Sequence, residues 1–344
     1  MAIIRPGART IVLALVACIP AAGLLAQTAV KLPKNKYTPE QDVKLGREAA
    51  AEVRKQYPII KNDRIASYLT TLGDRLVAGA PAELKQPVYE YSFTPVNLKE
   101  INAFALPGGP MFVHRGMFDA AASEGEVAGV MAHELSHVLL RHGTANASKA
   151  QNPWLQLGQI AGAVGGAVVG GAAGSAISQG SQFGLGTLLL RYSRDFEKQA
   201  DILGSQIMAR AGYDPRALAR MFETIQKEAQ SSGGSGPQWL SSHPDPGNRT
   251  QYITREAEQL TIAKAADTSQ FQPIKSAFAS LPPATSMGDL AKAREPSGGD
   301  TTEALGTPGQ PVPRPRRSFE RSAAAVSFRH RCRRTGRASR RRRQ

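Results

Sequence analysis

The stretch His133-Glu134-Leu135-Ser136-His137 constrains this chain more than any other. On an α-helix, residues four apart share a face, so the two histidines project side by side with the glutamate next to them. That is the spacing with which two imidazoles hold one zinc ion while a carboxylate beside the metal serves as general base. A helix rich in Ala, Glu and Leu can also acquire five such residues by chance, so the surroundings have to decide. A zinc site needs a third protein ligand and leaves a fourth position for water. The chain has two cysteines, Cys18 and Cys332, one near each end, so neither a disulfide nor a thiolate ligand is expected in the core. The third ligand must be His, Asp or Glu.

The elements around the motif can be read from pattern. Thr38-Pro39-Glu40-Gln41 has the form of a helix start, with Thr38 as cap, Pro39 first in the helix and Gln41 three residues after the cap; the helix is expected to run to about Gln56. Ile65, Leu69, Leu72, Leu76 and Val77 give a second helix between Asp63 and the stop at Gly79-Ala80-Pro81. The period then changes: Tyr89, Tyr91 and Phe93 alternate with polar residues, the mark of a half-buried strand. Residues 102–106 and 111–114, joined by Pro107-Gly108-Gly109-Pro110, read as a hairpin leading into the histidine helix. Ser123 and Glu126 suggest a capping box for that helix, and Gly143 after His142 suggests its end. Helical pattern returns from about Leu188 to Ala211, stops at Gly212, and resumes after Asp214-Pro215 to near Ala229.

On the first of these later helices, Glu197 is the best candidate for the third ligand, and Asp201 lies one turn further along the same face. Asp201 can accept the second N–H of a liganding histidine and so fix its tautomer. His142 comes five residues after His137, about 500° round a continuous helix, and is therefore expected off the ligand face, at the surface near the cap. His114 and His330 have no supporting context.

Arg5 and Arg9 precede the uncharged run Thr10 to Gln27, which suits a secretory signal, expected over residues 1–26. Ala21-Ala22-Gly23 offers small residues to an ordinary signal peptidase, while Leu15-Val16-Ala17-Cys18 resembles a lipobox, so periplasmic release and a lipid anchor at Cys18 both stay open. The formal charge of +15 is not spread over the chain: residues 311–344 hold thirteen arginines against one glutamate, 13 − 1 = +12, leaving 15 − 12 = +3 for the rest. A nearly neutral body argues against specific nucleic-acid binding. Residues 150–190 contain no charged side chain, and Gly162, Gly166, Gly170 and Gly174 recur every fourth position. With so few large apolar residues, this reads as a lid or hairpin packed on the protein's own cleft, with a membrane contact as the other reading. From about residue 267 the composition shifts to Pro, Gly, Ser, Thr and Ala, and disorder is expected to the end, Arg-rich from 311.

Four motifs taken together carry a resemblance: Asn102-Ala103-Phe104-Ala105-Leu106-Pro107-Gly108-Gly109, His133-Glu134-Leu135-Ser136-His137, Glu197 with Asp201, and Ser242-His243-Pro244-Asp245-Pro246-Gly247-Asn248-Arg249. In this order over residues 40–260 they are similar to the zinc metallopeptidase family of HtpX, the CAAX prenyl endopeptidase and BepA, most of all to exported members that do not span the membrane. The resemblance implies an α+β fold, mainly helical and zincin-like (gluzincin), with a small sheet or hairpin beside the active-site helix. The peptidase domain is expected over residues 38–262, without a C-terminal helical-repeat domain. It further implies one zinc ion held by His133, His137 and Glu197, with Glu134 as catalytic base and Asp201 as support for a ligand or as proton donor. His243 is brought to the cleft, to stabilise an oxyanion or to replace the zinc water at rest, and Arg249 pairs with Asp201 or with substrate.

The expected function is a zinc-dependent endopeptidase of the cell envelope that cleaves unfolded or misassembled envelope proteins, with the hairpin offering a strand edge to an extended substrate. Phe104 and Leu106 are alternatively core residues. A second reading is a chaperone-like module that binds such proteins through an occluded zinc site, and a third is polyanion or membrane-surface binding by the arginine tail.

Overall fold

The computed structural model describes residues 27–149, 192–231, 238–245 and 247–293. The expected signal and lipobox, nearly all of the uncharged glycine-rich run and the arginine tail lie outside the described residues.

The fold is organised around a helix with no wet face. Helix α1 (Pro39–Gln56) begins as expected: the Thr38 hydroxyl accepts from the Gln41 amide, and the Gln41 side chain accepts from the Thr38 amide. Helix α2 (Asp63–Gly79) is capped by Asn62 and buries Ile65, Leu69, Leu72 and Leu76 on one stripe. A three-residue 3₁₀ turn at Ala82–Leu84 leads to strand β1 (Ser92–Val96), followed by β2 (Ala103–Ala105) and β3 (Pro110–His114). The short helix α3 (Arg115–Ala120) precedes α4 (Glu124–Leu139), which carries the histidine motif. Every residue of α4 except Gly125 is buried. Its partners are α2, the sheet edge β2, α6 (Arg194–Arg210) and α7 (Arg216–Ser231). Also described are α5 (His142–Lys149), the short α8 (Gln238–Ser242), α9 (Arg249–Gln259), α10 (Phe271–Ala279) and α11 (Met287–Lys292). Among the described residues, no helix is long and apolar enough to cross a membrane.

The sheet has the order β1-β3-β2, with β1 parallel to β3 and β2 antiparallel to it. The expected hairpin is the β2–β3 pair, and Gly108 and Gly109 at its turn take the positive φ angles of 80° and 123° that side chains avoid. Alternation along the strands feeds two cores. Phe93, Ala103, Met111 and Val113 face the α2–α4 side, whereas Val96, Phe104 and Phe112 face α1 together with Leu106. Phe104 and Phe112 are register partners whose rings stack 5.2 Å apart. Phe104 and Leu106 are thus core residues, and the sheet is a covered middle layer, not a half-buried one.

Four local expectations need correction. The alternating Tyr89 and Tyr91 precede β1, because the chain turns there and the Tyr89 hydroxyl is drawn to buried Asp42 at 2.5 Å. At the start of α4 the Ser123 hydroxyl donates to Glu126 at 3.4 Å, and Glu126 instead accepts from the Ala122 amide at 2.8 Å. The same helix ends at Leu139, and a left-handed Arg141 with φ 57° starts α5, which contains Gly143. Chain beyond residue 266 is not formless up to residue 293: Phe271, Ile274 and Phe278 of α10 are buried, and the Phe278 ring stacks 4.5 Å from that of Phe118.

Two buried polar groups fix the ends of α4. Glu124 accepts from the hydroxyls of Tyr68 at 2.7 Å and Tyr213 at 2.6 Å, tying α2 and the α6–α7 turn to the start of the helix. At its far end Arg141 donates to Asp42 at 2.6 Å. Residues 27–37 then cross the outside, from Gln206 and Glu256, which meet Thr28, to Thr144 and Ser148 of α5, which meet Asn35 and Lys36.

His114, beside Tyr57 and Phe104 in the α1-side core, is fully buried, and burial pushes its pKa down to about 4. The unfolded chain, with an ordinary pKa near 6.5, binds the proton first, so stability falls as pH drops from about 6.5 to about 4. The full loss is about 3 kcal/mol. Replacing His114 by Leu removes that share: between pH 7 and pH 4 the variant should lose about 3 kcal/mol less than the wild type in urea unfolding. Parallel pH profiles would show that His114 is not a source of acid lability.

Candidate active site

Helix α4 places His133, Glu134 and His137, and α6 crosses it closely enough to bring Glu197 and Asp201 alongside. Gly204 permits the crossing, since a Cβ there would lie 3.2 Å from the His133 amide nitrogen. Ser193 caps α6, its hydroxyl accepting from the Phe196 amide at 3.3 Å, so Glu197 sits in the first turn.

The donor atoms converge. His133 Nε2 and His137 Nε2 are 3.0 Å apart, and the two Glu197 oxygens lie 3.5 Å from the first and 3.4 Å from the second. A tetrahedral ion with ligand bonds of about 2.0–2.1 Å spaces its donors by about 3.4 Å. His243 adds a fourth donor, and one ligand atom from each of the four residues lies within 4.8 Å of all the others. Glu197 Oε1 and His243 Nε2 are buried and make no hydrogen bond among the described residues. Buried polar atoms without partners are costly, and a cation at the centre of this cluster would engage both.

Charge leads to the same conclusion. Glu134, Glu197 and Asp201 are buried with Arg249, so the ionised site carries −3 + 1 = −2, which one divalent cation balances. Without a cation, burial favours the protonated carboxyls. Burial pushes the Glu134 carboxyl well above its ordinary range and Glu197 up to about 7, and raises Asp201. It also holds His133 and His137 well below 6.5, and His243 at about 3, so all three imidazoles are neutral.

Each ligand candidate is held from behind. His133 Nδ1–H donates to Asp201 Oδ1 at 2.8 Å, which leaves Nε2 as a lone pair facing the cluster. His243 Nδ1 lies 2.9 Å from the Ser242 hydroxyl and 3.2 Å from the Trp239 carbonyl; the tautomer that donates to this carbonyl also leaves Nε2 as a lone pair. Asp201 also accepts from Arg249 Nε at 3.0 Å, from Arg249 Nη2 at 2.9 Å and from the Tyr252 hydroxyl. Arg249 further donates to Glu197 at 3.2 Å and lies over the rings of Phe222 and Trp239, 3.7 and 5.0 Å from their centroids. The structure thus sets Asp201 against His133 and Arg249 against Asp201.

Glu134 accepts from the Ala105 amide on β2 at 3.3 Å and from the Trp239 indole at 3.4 Å, and stands 3.2 Å from His243 Nε2. The candidate base is therefore fixed between the sheet edge and α8. Beside it a narrow groove is lined by Ala105, Leu106, Pro107, His137, Arg141 and Tyr192. A larger cavity of about 790 Å³ lies at the ends of α2 and α6, among Gly79, Arg210 and Lys264, and contains none of these residues.

His142 is the main correction to the sequence reading of the site. It is fully buried, and its Nδ1 lies 2.9 Å from Nδ1 of His137. The 500° argument assumed one continuous helix, whereas the left-handed Arg141 turns the chain back on itself. Trp239, Tyr192 and Tyr252 join the site through the fold: Trp239 stacks 4.5 Å from His243, Tyr192 stacks 3.9 Å from His137, and the Tyr252 hydroxyl meets Asp201. Trp239, four residues before His243, carried a faint helical-spacing signal; the two tyrosines carried none.

The sequence matches peptidase family M48 over residues 64–257, more than half of the chain. The chain belongs to peptidase family M48. The matched segment begins in α2 and ends in α9, so it contains every residue of the cluster. Among curated relatives, it is 32% identical over 223 residues to the beta-barrel assembly-enhancing protease of Escherichia coli, covering 64% of this chain and 44% of that protein. It is 30% identical over 256 residues to the putative beta-barrel assembly-enhancing protease of Vibrio cholerae, covering 72% and 51%. It is also 31% identical over 157 residues to the mitochondrial metalloendopeptidase OMA1 of Saccharomyces cerevisiae, covering 45% and 43%. The chain spans about half the length of the curated relatives it matches.

Arg249 is a fully desolvated charge whose loss strands two carboxylates. Arg249→Met, which keeps most of the apolar stem, should lower the unfolding free energy of the metal-free protein by about 3–5 kcal/mol. Arg249→Lys should recover only part of it, because a single ammonium cannot reproduce the forked contacts. A Met variant within about 0.5 kcal/mol of wild type in denaturant unfolding, the range of inert surface changes, would contradict the assignment.

Proposed function

We propose that this chain is a zinc-dependent endopeptidase of the cell envelope that cleaves unfolded or misassembled envelope proteins, with its catalytic unit over residues 38–262. The observation that carries the reading is the buried cluster of His133, His137, Glu197 and His243, with Glu134 fixed beside it. Nitrogen and oxygen donors in this number suit zinc, which when bound acts as a Lewis acid toward a peptide carbonyl and lowers the pKa of water.

In this proposal His133, His137 and Glu197 are the zinc ligands. Glu134 is the general base: it takes the proton of the attacking water and returns it to the leaving amine. Asp201 orients His133, and Arg249 favours the ionised form of Asp201 against its burial, so neither needs to touch the peptide. An extended substrate would add to the edge strand β2, whose other side is committed to β3, by taking over the Ala105 amide that donates to Glu134 in this structure. Envelope location is supported by the signal-like start, Arg5 and Arg9 before an uncharged run. Assembling β-barrel proteins as substrates are suggested by the names of the bacterial relatives.

One observation favours a second reading. His243 supplies a fourth donor and, with Trp239, covers the cluster, both side chains being buried. A site closed in this way fits a chaperone-like module that binds unfolded envelope proteins and seldom cuts.

Replacing Glu134 by Gln separates the two. Casein cleavage should fall by at least about 100-fold while zinc content stays that of the wild type. Undiminished cleavage would end the proposed mechanism, and equal rescue of an envelope-assembly defect by wild type and variant would favour the binding module.

A further inference from the structure

We propose that His142 is a positioning residue for the metal: it accepts the Nδ1–H of His137 and so fixes the tautomer in which His137 presents Nε2 to the ion. This rests on the zinc site proposed above, and it assigns a role to a residue outside that ligand set.

His137 has two ring nitrogens and two neighbours. Its Nε2 faces the cluster, 3.0 Å from His133 Nε2 and 3.4 Å from Glu197 Oε1. Its Nδ1 faces His142 Nδ1 at 2.9 Å. Two imidazole nitrogens at that distance share one proton, one donating and the other accepting. If His137 is to ligate through Nε2, its proton resides on Nδ1, so His142 Nδ1 must be the acceptor. The two histidine ligands are therefore supported differently. Behind His133 stands the carboxylate of Asp201, and behind His137 the imidazole of His142.

The surroundings hold His142 where this role requires it. It is the first residue of α5, reached through the left-handed Arg141, a conformation that side chains other than glycine adopt with strain. The corner is clamped by Arg141, whose Nε donates to Asp42 at 2.6 Å and whose Nη2 donates to the Tyr37 carbonyl at 2.6 Å. Asn35 and Lys36 fasten α5 itself, donating to Thr144 and Ser148 at 2.8 Å each. The imidazole of His142 lies flat on the Phe196 ring, centroids 4.1 Å apart and planes within 2°, and Phe196 directly precedes Glu197. One side chain thus braces the second histidine ligand and packs against the helical turn that carries the carboxylate ligand.

The test uses the full chain, with zinc as the probe, and compares wild type, His142→Phe and His142→Asn. Phe keeps the aromatic stack and removes the acceptor, whereas Asn restores a short-range acceptor. Zinc affinity is read by competition with a chromophoric chelator, ligand geometry by the visible spectrum of the cobalt-substituted protein, and folding by circular dichroism and the thermal midpoint of the zinc-free protein. Expected are a 10- to 100-fold loss of zinc affinity in the Phe variant, with an altered cobalt spectrum and an unchanged zinc-free midpoint, and recovery to within a few-fold in the Asn variant. Wild-type zinc affinity in the Phe variant would overturn the proposal and leave the zinc site standing. Equal loss in both variants with lowered midpoints would overturn it in favour of packing alone. A wild-type protein that takes up no zinc would overturn both readings.

Discussion

The constraint on which the rest of this structure depends is the burial of an unbalanced charge. Glu134, Glu197, Asp201 and the Arg249 guanidinium are buried together at the histidine cluster, and this set when ionised keeps two negative charges to be neutralised. An isolated buried charge costs several kcal/mol, so every neighbouring group is committed to lowering that cost. Both oxygens of Asp201 are engaged, by His133, Arg249 and Tyr252. Arg249 is itself desolvated, but it is met by two carboxylates and by the faces of Phe222 and Trp239. A cation at the centre would complete an arrangement in which Glu197 Oε1 and His243 Nε2 make no hydrogen bond among the described residues.

This demand explains the shape of the fold around the site. To carry two histidines and a glutamate in its middle while touching no water, α4 must be covered on all sides, which requires α2, α6, α7 and the sheet edge at once. Close approach is achieved by omitting side chains. A Cβ at Gly129 would lie 2.8 Å from the Leu218 Cα, and Gly204 plays the same part where α6 crosses. The helix ends are tied by buried polar groups because water is not available to them: Glu124 by two tyrosines at one end, Arg141 by Asp42 at the other.

Legibility in the sequence divides along the same line. Whatever depends on a residue and its neighbours three or four positions away was readable. The Thr38–Gln41 capping box, the hairpin around Gly108 and Gly109, and the pairs His133–His137 and Glu197–Asp201 are of this kind. Whatever depends on partners far along the chain was not. The parallel pairing of β1 with β3 leaves no local signature, since β2 lies between them in sequence and at the edge in space. His142 was misplaced because its position is set by Arg141, whose left-handed turn is stabilised by Asp42, 99 residues earlier. Tyr252 and Tyr192 look like ordinary aromatic residues until the fold sets one against Asp201 and the other on the His137 ring. Helix α10 escaped notice because its apolar residues Phe271, Ile274 and Phe278 are too few to stand out from the surrounding small-residue composition.

The two proposed readings are ends of one scale, and on them the contacts of Trp239 and His243 would set the position. Trp239 and His243 stack one helical turn apart on and just after α8 and together close the cluster. In the reading proposed above, a peptide reaches the cluster only when this pair withdraws. The apparent rate then equals the rate of the open site multiplied by the fraction of molecules that are open. Each 1.4 kcal/mol by which the closed arrangement is favoured lowers that rate tenfold, and one good aromatic stack is worth about 0.5–1.5 kcal/mol beyond its buried area. The ligand set can therefore be complete in a protein that cuts freely and equally in one that binds and rarely cuts. On these readings the difference would lie in the contacts of Trp239 and His243, not in His133, His137 or Glu197.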